Sequence, residues 1–228
     1  GMATKYSEAL LAVKYRVTSA NGEKSGGPMY YLEHGLKQKW LGILFAVFGA
    51  LAAFGIGNGT QSKAIADAVY STFAVPHWLT GITLVVLAGL VILGGIRAIG
   101  KVTAFFVPMM ALFYLIAGIA VMILHYDLVP VAFRLIFTDA FTGTAVAGGA
   151  LGVVIRFGVE RGLFSNEAGL GSAPIAAAAA KTDAPGRQAL ISMTQVLFDT
   201  LIISTITGVT IVMSGVWQDA TLEQGQLT

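Results

Sequence analysis

Trp78 to Ile96 carries no charged residue, and neither does Val102 to Leu124. A run of about 20 apolar residues is what an α-helix needs to cross the hydrocarbon of a bilayer. Two such runs in close succession commit the chain to lipid before any other feature is considered. Leu190 to Val216 qualifies as well, with one charge, Asp199. Leu41 to Ile56 is apolar and continues into the more polar Gly57 to Val69, which predicts one long helix over 41–69. Thr142 to Ala180 is too long for one simple span. It is expected to divide into an entering helix, a break and a second half-helix ending near Lys181.

The composition agrees. Hydrophobic residues make up 56% and charged residues 11%, where a soluble domain carries about 25% charged. The class is a polytopic, all-α integral membrane protein with a single transmembrane domain. A net charge of +2 gives no footprint for nucleic acid. With no cysteine, disulfides and thiolate metal sites are excluded. His34, His77 and His125 lie near predicted span ends and read as interfacial residues. The chain begins Gly1-Met-Ala-Thr-Lys5 without a signal peptide and stops just after an apolar run. It is expected to be an internal stretch of a longer protein, with part of any binding site outside it.

Lysine and arginine positions set direction, because cytoplasmic loops are enriched in them. Residues 1–40 hold Lys5, Lys14, Arg16, Lys24, Lys37 and Lys39; Tyr70 to His77 hold none. Arg97 and Lys101 fill the turn after 78–96. The loop after Leu124 has only Arg134, against Asp127 and Asp139. Lys181 and Arg187 follow the broken segment, and the tail from Trp217 is free of basic residues. Basic and non-basic connections alternate. The N-terminal loop is therefore expected on the cytoplasmic side, with spans at 41–69, 78–96, 102–124, 142–180 (broken) and 190–216 crossing in alternating directions. Lys5 to Arg16 would end an earlier span.

Polar groups within spans are costly and mark function. Arg161-Gly-Leu-Phe-Ser-Asn-Glu-Ala-Gly-Leu-Gly-Ser-Ala-Pro174 places Ser165, Asn166, Glu167 and Ser172 among glycines, directly before the small-residue run Ile175 to Ala180. Bare backbone at membrane depth is tolerated only where protein or a water-filled cavity covers it. A helix starting near Ala168 to Ser172 would aim its N-terminal N–H groups at a carboxylate, and the carbonyls closing the preceding half could hold a small cation. The bland alternative is a polar kink buried by its neighbours. In Gly55-Ile-Gly-Asn-Gly-Thr-Gln61, Asn58 and Gln61 share a helical face; helix packing and a substrate-facing Gln61 are both open. Gln195 and Asp199 also share a face, and Asp199 reads equally as cation ligand, proton carrier or packing carboxylate. Arg156 and Glu160, with Arg161 adjacent, read as a salt-bridged turn, and Lys63 and Asp67 as a similar pair toward the outer end.

At these residues the chain resembles the alanine-or-glycine:cation symporter family of amino-acid carriers. The resemblance runs through Gly1-Met-Ala-Thr-Lys-Tyr-Ser-Glu8, Gly26-Gly-Pro-Met-Tyr-Tyr-Leu-Glu33, Phe54-Gly-Ile-Gly-Asn58 with Gln61, Gly94-Gly-Ile-Arg-Ala-Ile-Gly-Lys101 and above all Arg161 to Pro174. It implies part of a leucine-transporter-like bundle of two inverted five-helix repeats, covering the end of core helix 2 (residues 1–40, with a cytoplasmic loop) through core helix 7. It implies substrate contact from Gln61 and from Ser165, Asn166, Gly169, Gly171 and Ser172. Asp199, the charge within the last span, and the adjacent Thr200 stand beside these as candidates for the cation or its coupling. Lys63 departs from the pattern, standing where a small polar amide is expected; Ala104 stands where an acidic residue is common.

The expected function is a secondary active symporter in the plasma (inner) membrane that moves alanine or glycine with sodium by alternating access. Its partners are the amino acid, the sodium ion and the lipid bilayer. Sodium would be a co-transported ligand rather than a cofactor. The alternative class is an uncoupled channel for ions or small solutes. A membrane enzyme using Glu167 or Asp199 lacks a second catalytic partner, so the chain is not read as an enzyme. Alanine against glycine, sodium against proton, and the oligomeric state are left open by the residues present.

Overall fold

In a computed structural model the described residues are 1–20, 22–54, 58–140, 158–159, 162 and 164–218. They fall into two compact units. The first comprises Gly1–Gly49 and Tyr126–Met213; the second comprises Ala50–His125 and Ser214–Thr228.

The first unit is built on close approach between small side chains. Helix α1 (Met2–Lys14) buries Lys5, Ala9, Ala12 and Val13, a single stripe at helical spacing. It packs on α8 (Ala173–Ala178) and α9 (Pro185–Leu197). Ala9, Ala177 and Ala189 meet in one buried cluster edged by Tyr6 and Leu10. Alanines at such a crossing let helix backbones approach closely, as membrane helices do. A short antiparallel ladder follows, β1 (Val17–Thr18) with β2 (Lys24–Ser25), in the register Val17↔Ser25 and Thr18↔Lys24. Gly26 then passes so near that an added Cβ would lie 2.6 Å from Ala178 Cβ and 2.8 Å from the Ala12 carbonyl oxygen. Pro28 opens α2 (Pro28–His34), where its missing N–H costs nothing. Burial, with the Glu8 charge adding to it, pushes the Tyr31 phenol up to about 12. Helix α3 (Lys39–Ala53) exposes Trp40, Ile43, Phe48 and Leu51.

Residues 125–141 were expected as a loop. The structure instead forms α7 (Leu128–Ala140). Its apolar residues recur at helical spacing, but thirteen residues rise only about 20 Å at 1.5 Å each, short of the roughly 30 Å of hydrocarbon. The first unit closes with α9, a π-helical stretch at Phe198–Ile203, and α10 (Ser204–Ser214).

In the second unit, α4 (Asn58–Phe73), α5 (His77–Leu93) and α6 (Gly95–Leu124) pack as successive neighbours. The single helix expected over 41–69 is described as two helices. The first ends at Ala53, Phe54 lies in a turn, and 55–57 lie outside the described residues. Helix α4 runs to Phe73 and stops at Ala74, which takes φ 54°. Arg97 and Lys101 are not in a turn. The reversal is confined to Gly94–Gly95, where Gly95 adopts φ 69°, and α6 starts at once, taking Arg97, Gly100 and Lys101 into its first turns. It continues through Pro108 with no buried residue. The expected pair forms, Lys63 Nζ to Asp67 Oδ2 at 2.9 Å. Asp67 also meets His77 Nε2 at 3.0 Å, and the His77 ring stacks on Tyr70.

Among the described residues, two helical runs, Gly95–Leu124 and Pro185–Ser214, are long and apolar enough to cross a membrane. Lys39–Ala53, His77–Leu93 and Leu128–Thr138 are shorter apolar helices.

Candidate functional site

The break expected in the polar, glycine-rich segment is present. Residues 164–166 are helical, and then regular structure stops until Ala173. Glu167 takes φ 54°, Gly169 φ 91° and Gly171 φ 80°. Left-handed positions so close together cannot belong to an α-helix, and only the two glycines adopt them without the roughly 1–2 kcal/mol that a Cβ costs there. The Asn166 side chain locks the turn, its Oδ1 accepting from the Ala168 N–H at 3.1 Å. This is the Asx-type bond that lets asparagine replace a backbone turn. Asn166 itself is only 7% exposed.

Around this turn the structure brings together most of the residues chosen from sequence. Ser165 Oγ donates to Asp199 Oδ2 at 2.6 Å, and Ser172 Oγ donates to Glu167 Oε2 at 3.1 Å. Asp199 and Thr200 stand in the π-helical stretch, whose start is tied down by Ser204 Oγ donating to the Asp199 carbonyl at 2.9 Å. Single π turns within α-helices occur often at functional sites. Gly169 lies over Thr4, and Gly171 is wedged against Phe45 and Pro28. A cavity of ≈ 320 Å³ opens beside the turn, lined by Lys5, Glu167, Ala176, Gln188, Ser192 and Gln195 among others. Gln61 belongs to α4 of the second unit and is exposed there.

One feature differs from expectation. The helix after the break begins at Ala173 rather than between Ala168 and Ser172, and it has six residues. Pro174 and the left-handed Gly171 delay its start. A helix this short carries little macrodipole, so the polarity of the turn comes from its own N–H, carbonyl and side-chain groups. The entering half of the segment, with Arg156, Glu160 and Arg161, lies outside the described residues. Among the described residues, no group of three His, Cys, Asp or Glu could hold a metal ion.

Two basic residues read from sequence only as markers of direction prove to be internal. Lys5, 2% exposed, donates to the Asn166 carbonyl at 2.7 Å. The signal was available, since Lys5 shares the helical stripe of Ala9, Ala12 and Val13. Arg16, whose side chain is 8% exposed, donates to the carbonyls of Ala178 at 3.0 Å, Ala180 at 2.8 Å and Thr182 at 2.6 Å. It thereby satisfies the Ala178 carbonyl at the C-terminal end of α8 and two carbonyls of the chain that follows it. It also meets Asp183 Oδ1 at 2.8 Å, which Lys24 reaches at 2.7 Å. The Lys24 hydrogen bond and charge, then Arg16, hold the Asp183 carboxyl below the usual carboxylate range.

The whole chain, residues 1–228, matches the model of the sodium:alanine symporter family. It is 54% identical over 94% of its length to the sodium/alanine symporter AgcS of Methanococcus maripaludis, covering 48% of that protein. It is 49% identical over its full length to an uncharacterized transporter of Haemophilus influenzae, covering 51% of it. It is 39% identical to the probable sodium/glutamine symporter GlnT of Bacillus subtilis, covering 48%. The chain thus spans about half the length of the curated relatives it matches, and those named are transporters rather than enzymes. An unwound polar turn between apolar helices, together with a family match over every residue, leads to one assignment: the chain belongs to the sodium:alanine symporter family.

Proposed function

We propose that this chain works in a secondary active symporter that moves a small amino acid, alanine or glycine, with sodium across the plasma membrane by alternating access. The observation that carries the reading is the unwound turn from Asn166 to Ser172. It interrupts the backbone between two helical pieces, with one carboxylate in the turn, Glu167, bonded to Ser172, and another, Asp199, bonded to Ser165 at its edge. In this reading the bundle has the leucine-transporter-like arrangement of two inverted five-helix repeats. Ser165, Asn166, Gly169, Gly171 and Ser172 face the substrate, and Gln61 reaches it from the third core helix. Asp199 and Thr200 serve the cation. The space by the turn is narrow, since Phe45 and Pro28 close on Gly171, and this favours a small side chain. The cation favours the state that accepts substrate from outside, because a ligand shifts an equilibrium only by its differential affinity for the two states.

The test is uptake of radiolabelled alanine by the full-length protein in liposomes, with and without an inward sodium gradient. Asn166→Ala, Ser172→Ala and Gln61→Ala should each lower sodium-driven uptake about 2–10-fold, the equivalent of one hydrogen bond. Unchanged uptake in all three removes the site. Flux indifferent to the sodium gradient favours an uncoupled channel, and equal uptake of leucine and alanine contradicts a small pocket.

A further inference from the structure

Lys5 carries chemistry beyond the marking of direction. Its ammonium is buried and donates at 2.7 Å to the carbonyl of Asn166, the last residue of the 164–166 helical stretch. In an uninterrupted helix that carbonyl would accept the N–H of residue 170. Residue 170 is in a bend, so the break itself orphans the carbonyl. Carbonyls at the ends of half-helices are where transporters of this build bind a mobile cation. Here a covalently attached cation already occupies one.

The electrostatics are equally specific. Glu167, Glu8 and Asp199 all lie within Coulombic range of Lys5, so one ammonium stands among three carboxylates. An ammonium group has three donors and no acceptor, so a buried one must be met by acceptors, here the Asn166 carbonyl. The side chain reaches the turn from α1, across 161 positions of sequence.

The geometry points to Lys5 as a positioning residue: a tethered cation that holds the Asn166–Ser172 turn unwound and sets the affinity of the same region for the co-transported cation. The inference rests on the symporter reading above. Removing the charge does two things. It frees the Asn166 carbonyl, so the turn loses its hold and substrate transport slows. It also removes a fixed positive charge from beside Glu167 and Asp199, so a mobile cation is attracted more strongly.

The experiment uses the full-length protein in a cysteine-free background. Lys5→Met should lower maximal alanine uptake about tenfold and lower the half-saturating sodium concentration about threefold or more. Lys5→Arg, which keeps the charge, should restore a wild-type sodium curve. A second readout needs no transport. Leu170 is 46% exposed on the turn, and Leu170→Cys reports the turn through its rate of thiol labelling. Sodium should alter that rate at lower concentration in Lys5→Met than with Lys5 intact. Lys5→Met with a wild-type sodium curve by both readouts overturns the proposal, even if uptake falls, because a merely structural lysine would change the amount of active protein and nothing else. If the protein with Lys5 intact shows no sodium-driven uptake, the symporter reading fails and takes this inference with it. Sodium-driven uptake with an unmoved sodium curve in Lys5→Met sinks the lysine alone.

Discussion

Gly171 and its neighbour Gly169 allow the geometry of the break to be tested quantitatively. At Gly171 an added Cβ would lie 2.6 Å from Phe45 Cζ, 2.8 Å from Phe45 Cε2 and 3.1 Å from Pro28 Cγ, on a backbone at φ 80°. The left-handed conformation costs a residue with a Cβ about 1–2 kcal/mol. Displacing a packed ring adds about 1–3 kcal/mol, giving about 2–5 kcal/mol for Gly171→Ala. Gly169 separates the two contributions. Its φ is 91°, but the nearest atom to its Cβ would be Thr4 Cγ2 at 3.8 Å, so only the backbone cost of about 1–2 kcal/mol remains. Gly186, near the start of α9, has nothing within 4 Å. Alanine there should gain about 0.5–1 kcal/mol as a better helix former. The assay is the thermal midpoint of the detergent-solubilised full-length protein. The expected order is Gly186→Ala at or above wild type, then Gly169→Ala, then Gly171→Ala lowest. Combining Gly171→Ala with Phe45→Ala should cost less than the sum of the two, since the ring is what the methyl meets. A Gly171→Ala midpoint equal to wild type would refute both the left-handed turn and its packing against α3.

Two other perturbations address the far end of α8. Arg16→Ala leaves the carbonyls of Ala178, Ala180 and Thr182 without their charged donor. It should cost about 2–4 kcal/mol, less than the sum of bonds worth about 1.5–3 kcal/mol each; Arg16→Lys should fall between, having no planar fork. A wild-type midpoint for Arg16→Ala contradicts the capping role. For Asp183 the folded pKa lies below its ordinary 3.8. Its contribution is therefore present above the unfolded value and is lost as pH falls through the folded one. Midpoints of wild type and Asp183→Asn should run parallel from pH 5 to 8 and converge only below about pH 4. A difference between them that grows from pH 8 to 5 would contradict this.

The apolar runs were legible because a membrane helix is declared by composition over a short window. The break at Asn166 was legible for the same local reason, since glycine, asparagine and serine make turns through their own backbone and side chains. What local pattern could not supply was the partner. Lys5 and Asn166 are 161 positions apart, and Arg16 and Thr182 are 166 apart; a count of basic residues assigned both cations to a water-facing role. Helix α7 was missed because its apolar spacing is too short to span, and Arg134 with Asp127 and Asp139 reads as the charge of a loop. The extent of the Gly94–Gly95 reversal was overestimated for a related reason. Arg97 and Lys101 read as loop residues, although neither breaks a helix.

The wide turn at Phe198–Ile203 has a practical consequence for anyone scanning this part of the chain. Rotation per residue changes across it, so counting in threes and fours from α9 loses phase before Ser204. Side chains beyond it face directions that a regular helical wheel drawn from Pro185 would assign to other positions. A cysteine or tryptophan scan of Ser204–Ser214 should restart its wheel at Ser204, or it will sort lipid-facing from protein-facing positions by the wrong clock.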